Sequence, residues 1–313
     1  MLKIVKTTAY SNMKMGTAGL RKKSKVVLQE NYLENFVQSV FNAIGGVKGL
    51  TFILGGDGRY YNKIAIQKIM KMAAANGMKK MIVGQNGFIS TPASSHVLLM
   101  NKADGGFVLS ASHNPGGING DFGIKYAIAS GGQCPTSVSD KIYEISKNIS
   151  EYKTLDEPDV DLSLLGVQKL GDMEIEVIDP VKDYVDMMEK IFDFAAIKKL
   201  FANGFTMVFD AMNAVTGPYA RKIFEEILGA EKGSVLNYVP LEDFGGLHPD
   251  PNLIYAKSLV DLMYSDKAPD FGAANDGDGD RNMILGKKFF VTPSDSLADR
   301  KSTRLNSSHI TIS

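Results

Sequence analysis

The sequence has one cysteine, no excess of charge and no long apolar segment. Cys134 alone excludes an internal disulfide and is typical of a reducing compartment. Lys plus Arg and Asp plus Glu each total 35, so no overall field recruits nucleic acid or an anionic membrane. No run approaches the roughly 18 apolar residues that span a bilayer, and residues 1–10 lack the apolar core of a signal peptide. We therefore expect a cytoplasmic protein without nucleic-acid or membrane partners.

What is present is an alternation of short apolar runs and longer segments with helical spacing. The runs predict strands at Thr51–Leu54, Met81–Val83, Gly106–Leu109, Glu174–Ile178, Thr206–Phe209 and Val235–Val239. Helical spacing recurs around residues 64–73 and over Ile142–Ile149, Val181–Phe201, Tyr219–Leu228 and Ile254–Tyr264. Such alternation favours an α/β fold with two tandem mixed-sheet domains, because a strand–helix–strand unit returns the chain to the same sheet.

The boundary between these domains is predicted near Asp179-Pro180, between a strand and a long helix. This gives a first domain over residues 1–179 and a second over residues 180–298. The polar stretch Glu151–Asp161 is interpreted as a surface loop of the first domain rather than as a linker.

The last 15 residues, 299–313, differ in character from the rest. They read DRKSTRLNSSHITIS and show neither a helical nor a strand period. They fit the translation of a common sequencing adapter and its index. We therefore interpret them as a non-native tail, with a native polar tail as the alternative, and expect the native coding sequence to be cut after Ala298.

A serine on a Gly/Pro/Asn-rich turn is the first candidate for chemistry. The stretch Leu109–Lys125, LSASHNPGGINGDFGIK, follows an apolar strand and presents Ser112 and His113 where reactive side chains are often found. Backbone N–H groups of such a turn can bind an anion. A serine hydroxyl is a weak nucleophile unless it is activated or already esterified. A turn serine that merely caps a helix is the plainer alternative.

Three aspartates at alternate positions form the second candidate. In Asp276-Gly-Asp-Gly-Asp-Arg281 the glycines let the chain curl, so Asp276, Asp278 and Asp280 can converge on one hard cation such as Mg²⁺ or Ca²⁺. An EF-hand fails, because its sixth position would be Arg281 instead of Gly and its twelfth Lys287 instead of Glu. A merely acidic turn would leave three carboxylates repelling one another.

A third stretch, Lys14–Lys23, combines glycines with basic residues. Thr17 and Arg21 lie beside those glycines, so the segment is able to approach and neutralise a phosphate. A basic run on a solvated face is the alternative for this segment taken alone.

Taken together, these motifs resemble the α-D-phosphohexomutase superfamily, and within it the eukaryotic-type phosphoglucomutase branch, over Lys3–Ala298. Further stretches that match the pattern are Gly55–Asn62, Ile89–Ala93, Leu247–Asn252 and Thr292–Ser296. The extension Gly116–Lys125 favours the phosphoglucomutase branch over the phosphomannomutase and acetylglucosamine-phosphate branches. One departure is Ala18, where many relatives carry Ser.

The resemblance implies interconversion of α-D-glucose 1-phosphate and glucose 6-phosphate through a glucose 1,6-bisphosphate intermediate. Ser112 would carry the phosphoryl group, and one Mg²⁺ would be held by Ser112 and the three aspartates. The remaining site residues implied are Arg21, Arg281, Thr17 and His113 as phosphate or polar partners, and Lys125 as general acid/base.

The resemblance also implies an extent. Relatives have four domains, of which this chain would hold the first two, and the intact protein would be monomeric. Because substrate-positioning loops of the third and fourth domains are absent from the sequence, we expect the 313-residue polypeptide to have little or no mutase activity. Two alternatives stay open, namely a non-catalytic scaffold on the same fold and a mutase for another hexose phosphate.

Overall fold

The computed structural model describes residues 1–16 and 18–298, which build two β-sheets and one two-stranded ribbon. Thr17 and the tail over residues 299–313 lie outside the described residues. The strands are β1 Leu2–Lys6, β2 Leu20–Lys23, β3 Thr51–Gly56, β4 Lys80–Phe88, β5 Gly105–Leu109, β6 Asp121–Ile128, β7 Glu151–Leu155, β8 Gly166–Leu170, β9 Met173–Ile178, β10 Met207–Asp210, β11 Val235–Leu236, β12 Phe271–Asn275, β13 Asn282–Gly286 and β14 Phe289–Val291.

Helices connect most of these strands. They are α1 Ser24–Val27, α2 Tyr32–Ala43, α3 Asn62–Ala75, α4 Thr91–Met100, α5 Thr136–Ser146, α6 Pro180–Ile191, α7 Phe194–Ala202, α8 Thr216–Ala220 and α9 Lys257–Met263. A π-helical segment, Arg221–Ile227, continues α8, and a 3₁₀ turn spans Phe244–Gly246. No helix among residues 1–16 and 18–298 is long and apolar enough to cross a membrane.

The first sheet has the strand order β2-β6-β5-β3-β4-β9-β8. Its centre is parallel, because β3 pairs in parallel with β4 and β5, and β4 with β9, whereas β2, β6 and β8 join antiparallel. Successive residues of a strand face opposite sides of a sheet. Phe52 and Leu54 therefore pack with α2 and α3 on one face, while Ile53 packs with α4 on the other.

The second sheet is smaller, with the order β11-β10-β12-β13-β14. β10 pairs in parallel with β11 and β12, and β12, β13 and β14 follow one another antiparallel. Phe209 packs on Phe224 from one face of this sheet, and Val208 packs towards α9 from the other. Both sheets are thus mixed and covered by helices, as the sequence predicts.

The two sheets meet through an apolar cluster. Val215 and Tyr219 from the second half of the chain pack against Ile53 and α4 of the first half. Tyr219 is buried, and its hydroxyl accepts a hydrogen bond from the backbone N–H of Ser90 at 3.3 Å. A largely apolar cavity of about 340 Å³ lies beside this contact, lined by Tyr184 and Phe224 among others, and reaches Gly279.

Four of the six predicted strands are confirmed within two residues at each end, but the strand predicted over Met81–Val83 continues to Phe88 and other predicted bounds are wrong. The strand predicted over Val235–Val239 ends at Leu236, because Asn237 takes a left-handed φ of +48°. The loop predicted over Glu151–Asp161 begins with strand β7, which pairs with β1. In that strand Tyr152 is the one buried residue, and its neighbours Glu151 and Lys153 are polar. Without knowledge of the partner strand, such a sequence is typical of a loop.

Helix bounds also differ from those predicted. The single helix predicted over Val181–Phe201 is two helices, because the Asp193 carboxylate accepts from the Ala196 N–H at 2.9 Å and starts α7 anew. The helix predicted from Tyr219 begins at Thr216 and becomes π-helical, and the one predicted from Ile254 begins at Lys257. The boundary predicted at 179/180 coincides with the end of β9. Because α6 packs on α4 of the first sheet, the bounds of the two domains stay a prediction.

Candidate active site

Ser112 lies on the turn between β5 and β6, residues 110–120, which we call the serine turn. The turn follows the carboxyl end of a parallel strand, where ligands of open α/β sheets bind. Ser112 is buried and adopts a left-handed φ of +56°, which is rare for a non-glycine residue. Its N–H donates to the Ser110 Oγ at 2.7 Å, and its own Oγ donates to Asp276 Oδ2 at 2.7 Å.

The partner of Ser112 comes from the loop between β12 and β13, residues 276–281, which we call the aspartate loop. Asp276 Oδ1 accepts from the backbone N–H groups of Gly279, Asp280 and Arg281, each at 3.1 Å, and so closes the loop on itself. Position 277 has room only for glycine, because a Cβ there would lie 2.5 Å from the Ser112 carbonyl oxygen and clash with it. The two loops, predicted from separate stretches of sequence, therefore touch.

The three aspartates converge. Each of Asp276, Asp278 and Asp280 offers a carboxylate oxygen, and these oxygens lie within 4.8 Å of one another. Asp278 is fully buried, and its Oδ1 has no hydrogen-bond partner among the described residues. A buried carboxylate oxygen without a donor is unfavourable unless a cation satisfies it. The donor set is all oxygen, as a hard divalent cation prefers.

The titration behaviour of the cluster agrees with this geometry. Burial, with the neighbouring Asp278 charge, raises the pKa of Asp276 to about 7. Burial and the same neighbour also raise the pKa of Asp280. Burial opposes ionisation of Asp278 as well, but the Lys125 ammonium beside it holds the pKa of Asp278 below its usual value. Two of the three carboxylates are therefore easier to protonate than an exposed aspartate, because they lie buried beside a third.

Lys125 and Thr91 hold Asp278 from the first sheet. Lys125, on β6, has its Nζ 2.5 Å from Asp278 Oδ2 and 3.8 Å from Asp280 Oδ2. The Thr91 hydroxyl donates to Asp278 Oδ2 at 2.7 Å, and the Thr91 N–H donates to the Asp278 carbonyl at 2.9 Å. Thr91 begins α4, and Ser90 caps that helix, so a helix start is fixed against the aspartate loop.

Arg281, His113 and Arg21 provide the basic side of the site. Arg281 Nη1 contacts His113 Nδ1, an arrangement in which the guanidinium donates and the ring nitrogen accepts. Burial, followed by the Arg281 charge, lowers the pKa of His113, which keeps its ring neutral at pH 7. Burial likewise lowers the pKa of Arg21, whose Nε has no hydrogen-bond partner within the described part of the chain.

The structure brings together all the site residues predicted from the sequence except Thr17, and it adds two residues that the prediction omits. Ser112, His113, Lys125, Arg21, Arg281 and the three aspartates share one site, while Thr17 lies outside the described residues. Thr91 and Arg59, which touch the site, are absent from the predicted set. Both lie in stretches of sequence that resemble the phosphohexomutase pattern, residues 89–93 and 55–62. The sequence thus marks these stretches but does not show what Thr91 or Arg59 contacts.

Comparison with known proteins identifies both parts of the chain. Models for the α/β/α domains I and II of the phosphoglucomutase/phosphomannomutase family match residues 12–153 and 182–288. A phosphoglucomutase from Rhizobium radiobacter is 59% identical over 298 residues, which cover 95% of this chain and 55% of that protein. A cytoplasmic phosphoglucomutase from Populus tremula is 54% identical, over 94% of this chain and 54% of its own length. Plant relatives include chloroplastic forms too.

A solved structure agrees with these matches. The exocytosis-sensitive phosphoprotein pp63/parafusin of Paramecium, named as a phosphoglucomutase, superposes with a TM-score of 0.92 at 47% identity. The match covers 95% of this chain and 57% of that one. The chain thus spans about half the length of the curated relatives it matches.

Proposed function

The chain belongs to the phosphoglucomutase/phosphomannomutase family, and on that premise we propose that it serves as a phosphoglucomutase. Membership confirms the resemblance and the fold predicted from the sequence, two tandem mixed α/β domains of the phosphohexomutase type. The proposed reaction interconverts α-D-glucose 1-phosphate and glucose 6-phosphate by way of glucose 1,6-bisphosphate. The observation that carries the proposal is the 2.7 Å contact between Ser112 Oγ and Asp276 Oδ2, in a buried cluster of carboxylates flanked by basic groups.

Ser112 is the proposed carrier of the phosphoryl group. In the forward half reaction the bond between phosphorus and Ser112 Oγ breaks, a bond from phosphorus to a sugar hydroxyl oxygen forms, and the hydroxyl proton leaves to a base. In the second half reaction the bond between the other phosphorus and its sugar oxygen breaks, a bond from that phosphorus to Ser112 Oγ forms, and the serine proton is replaced while the sugar oxygen takes up a proton. Such transfer depends mainly on alignment and on neutralising charge. The fixed, buried position of Ser112 supports the first requirement.

The aspartate cluster fits a single Mg²⁺. Asp276, Asp278 and Asp280 would hold it together with an oxygen on Ser112. Asp278 Oδ1, which no residue of the described ranges 1–16 and 18–298 bonds, supports this assignment. When bound, the ion would supply positive charge that neutralises the oxygens of the transferred group.

The basic residues have separable proposed roles. Lys125, within 3.8 Å of two aspartates, is the candidate that exchanges a proton with the sugar hydroxyl. Arg21 and Arg281 would bind phosphoryl oxygens, because a guanidinium offers paired donors. His113 orients Arg281 through the contact to its Nδ1, and Thr17 is proposed as a further polar partner.

The proposed setting follows the relatives. A hexose phosphate is the proposed substrate, the intact protein is proposed to be monomeric, and a cytoplasmic location is proposed by likeness to the Populus protein.

Phosphorylation of Ser112 tests the proposal on residues that the chain contains. The 313-residue chain is incubated with glucose 1,6-bisphosphate and Mg²⁺, and the modified residue is located by tandem mass spectrometry. We expect one phosphate, on Ser112, and none when EDTA replaces Mg²⁺. A Ser112→Ala variant should stay unmodified, whereas Ser139→Ala, at a serine of α5 remote from the site, should label like the parent.

Two outcomes would redirect the proposal. No phosphate on Ser112 at any donor concentration would favour either a non-catalytic scaffold on this fold or a transfer that needs parts of the relatives beyond the half that this chain spans. Faster labelling by mannose 1,6-bisphosphate than by the glucose compound would favour a mutase for another hexose phosphate.

A further inference from the structure

Arg59 is a buried cation that the reaction described above does not use. It follows β3, the neighbour of β5 in the first sheet, and both its side chain and that of Asp57 are fully excluded from solvent. The pair is close, with Arg59 Nε 2.9 Å and Nη2 2.8 Å from Asp57 Oδ2. Burying a charge is costly unless hydrogen bonds satisfy it, so the remaining contacts of this guanidinium are informative.

Those contacts go to the backbone of the serine turn and to the strand that follows it. Arg59 Nη2 donates to the Ser112 carbonyl at 2.8 Å, and Nη1 donates to the carbonyls of Asn114 at 3.3 Å and Asp121 at 2.8 Å. With the bond from Nε to Asp57, each of the three guanidinium nitrogens donates to at least one acceptor. One rigid, planar group thus binds the reactive residue itself, the middle of the turn and the start of β6.

A lysine has no equivalent arrangement. Its ammonium is a single point with three donors, whereas the guanidinium spreads its donors across a plane. Three carbonyls and a carboxylate on different sides of the group require that spread. Arg59→Lys would keep the charge and the salt bridge to Asp57 but would release at least part of the serine turn.

The second half of the chain encloses the guanidinium. The ring of Phe244, which is fully buried, lies 5.1 Å from Arg59 Cζ. The carbonyl of Glu242 accepts from the N–H groups of Tyr60 at 2.8 Å and Gly117 at 3.0 Å. These bonds connect residues 242–244 to the segment that follows β3 and to the serine turn. The contacts around Arg59 therefore span the junction between the two sheets.

We propose that Arg59 is a positioning residue that holds the serine turn so that Ser112 keeps its left-handed backbone and presents its Oγ to the aspartate loop. A left-handed serine is unfavourable and persists where its surroundings over-determine it. Arg59 provides that constraint through the Ser112 carbonyl. The part of this inference that concerns phosphate transfer rests on the proposed function, while the part that concerns the turn does not.

Hydrogen exchange and phosphate transfer, measured on the full 313-residue chain, test the two parts separately. In the parent, backbone amides of residues 112–121 should exchange as slowly as those of β5, although the turn is rich in Gly and Asn. In Arg59→Lys, exchange over 112–121 should rise at least about tenfold, with β4 and α3 unchanged, and phosphate transfer to Ser112 should slow roughly 100-fold, because misplacement by about 1 Å has such an effect.

The matched control is Asn62→Ala. Asn62 is buried, donates to the same Asp57 carboxylate at 3.3 Å and to the Leu109 carbonyl at 3.0 Å, and its side chain does not bond the turn. This variant should lose stability while the turn stays protected and phosphate transfer stays within about threefold of the parent.

Three results would overturn the inference. The first is rapid exchange over 112–121 in the unmodified chain, a measurement that does not depend on any variant folding. The second is an even rise in exchange across the whole first sheet in Arg59→Lys. The third is phosphate transfer in Arg59→Lys at the rate of the unmodified chain. If the parent takes up no phosphate at all, that result bears on the proposed function alone, and the exchange measurements still decide the role of Arg59.

Discussion

At the scale of single residues, the site is governed by how buried charges are compensated. Asp278 has one carboxylate oxygen bonded by Lys125 and Thr91 and the other left without a partner in the described part of the chain. Removing one member of a buried ion pair is far more damaging than removing a surface pair, because the remaining charge stays buried. The free oxygen also makes the compensation dependent on a bound cation.

Lys125→Met tests this dependence. Without Mg²⁺ we expect the free energy of unfolding to fall by about 3 kcal/mol, since Asp278 loses its ammonium partner. With Mg²⁺ the loss should be clearly smaller, because the ion supplies the missing positive charge. Urea denaturation of parent and variant, in EDTA and in Mg²⁺, measures both values.

Lys182→Met provides the control for this variant. Lys182 pairs with Asp186 on an exposed face of α6, so its loss should change the free energy of unfolding by less than about 0.5 kcal/mol in either buffer. An equal loss for Lys125→Met with and without Mg²⁺ would contradict the assignment of the cation to this cluster.

At the scale of elements, sequence patterns predict what is buried on both faces and miss what depends on a partner. β3 and β5 pair in parallel and read as short apolar runs, and β4 contains one in its first half. β6, an antiparallel strand that carries Lys125, begins directly after a Gly-rich turn and reads in the sequence as an extension of it. Its strand character comes from pairing with β2 and β5, which no local pattern encodes.

The same distinction applies to the candidate site. Ser112 and the aspartates are predictable because each motif has an unusual, chemically meaningful spacing. Arg59 and Thr91 receive no role from the sequence, because their importance lies in which carbonyl or carboxylate they reach across the fold. The two helices within residues 180–202 read as one for a related reason, since the capping carboxylate of Asp193 does not interrupt the apolar period.

The approach of Gly19 to β6 gives a prediction at this scale. Gly19 has a φ of +90°, and a Cβ there would lie 2.5 Å from the Ile124 carbonyl oxygen. We expect Gly19→Ala to lower the free energy of unfolding by about 3 kcal/mol, combining backbone strain with the clash. Urea denaturation again provides the measurement.

Gly45→Ala separates the two contributions. Gly45 has a similar φ of +86°, but among the described residues no atom lies within 4 Å of the position that a Cβ would occupy there. Only the backbone penalty of about 1 kcal/mol should remain at this position. Equal losses at the two glycines would show that β6 yields to the added methyl group.

At the scale of the whole molecule, the two sheets are coupled by more than the candidate site. An apolar cluster joins Val215 and Tyr219 to the first sheet, and hydrogen bonds from Ser112 and Thr91 reach the aspartate loop. Elements that share buried apolar surface tend to unfold together. The site is therefore assembled at a junction that also contributes to stability.

Calorimetry tests the coupling. We expect the chain to melt in one transition, with calorimetric and van 't Hoff enthalpies in agreement, and to melt at a higher temperature in Mg²⁺ than in EDTA. The single transition follows from the shared apolar cluster, and the shift follows from binding to the folded state alone. Two resolved transitions in Mg²⁺ would show that each sheet unfolds independently.

The cavity beside Tyr184 has a spectroscopic consequence. The chain contains no tryptophan, and Tyr184 lines about 340 Å³ of space next to Gly279, with its ring 5.5 Å from that of Tyr219. Tyr184→Trp would place a lone indole in space able to accept its larger ring. Its fluorescence, excited apart from the tyrosines, would then report changes at the junction in real time, including those that accompany occupation of the neighbouring aspartate loop.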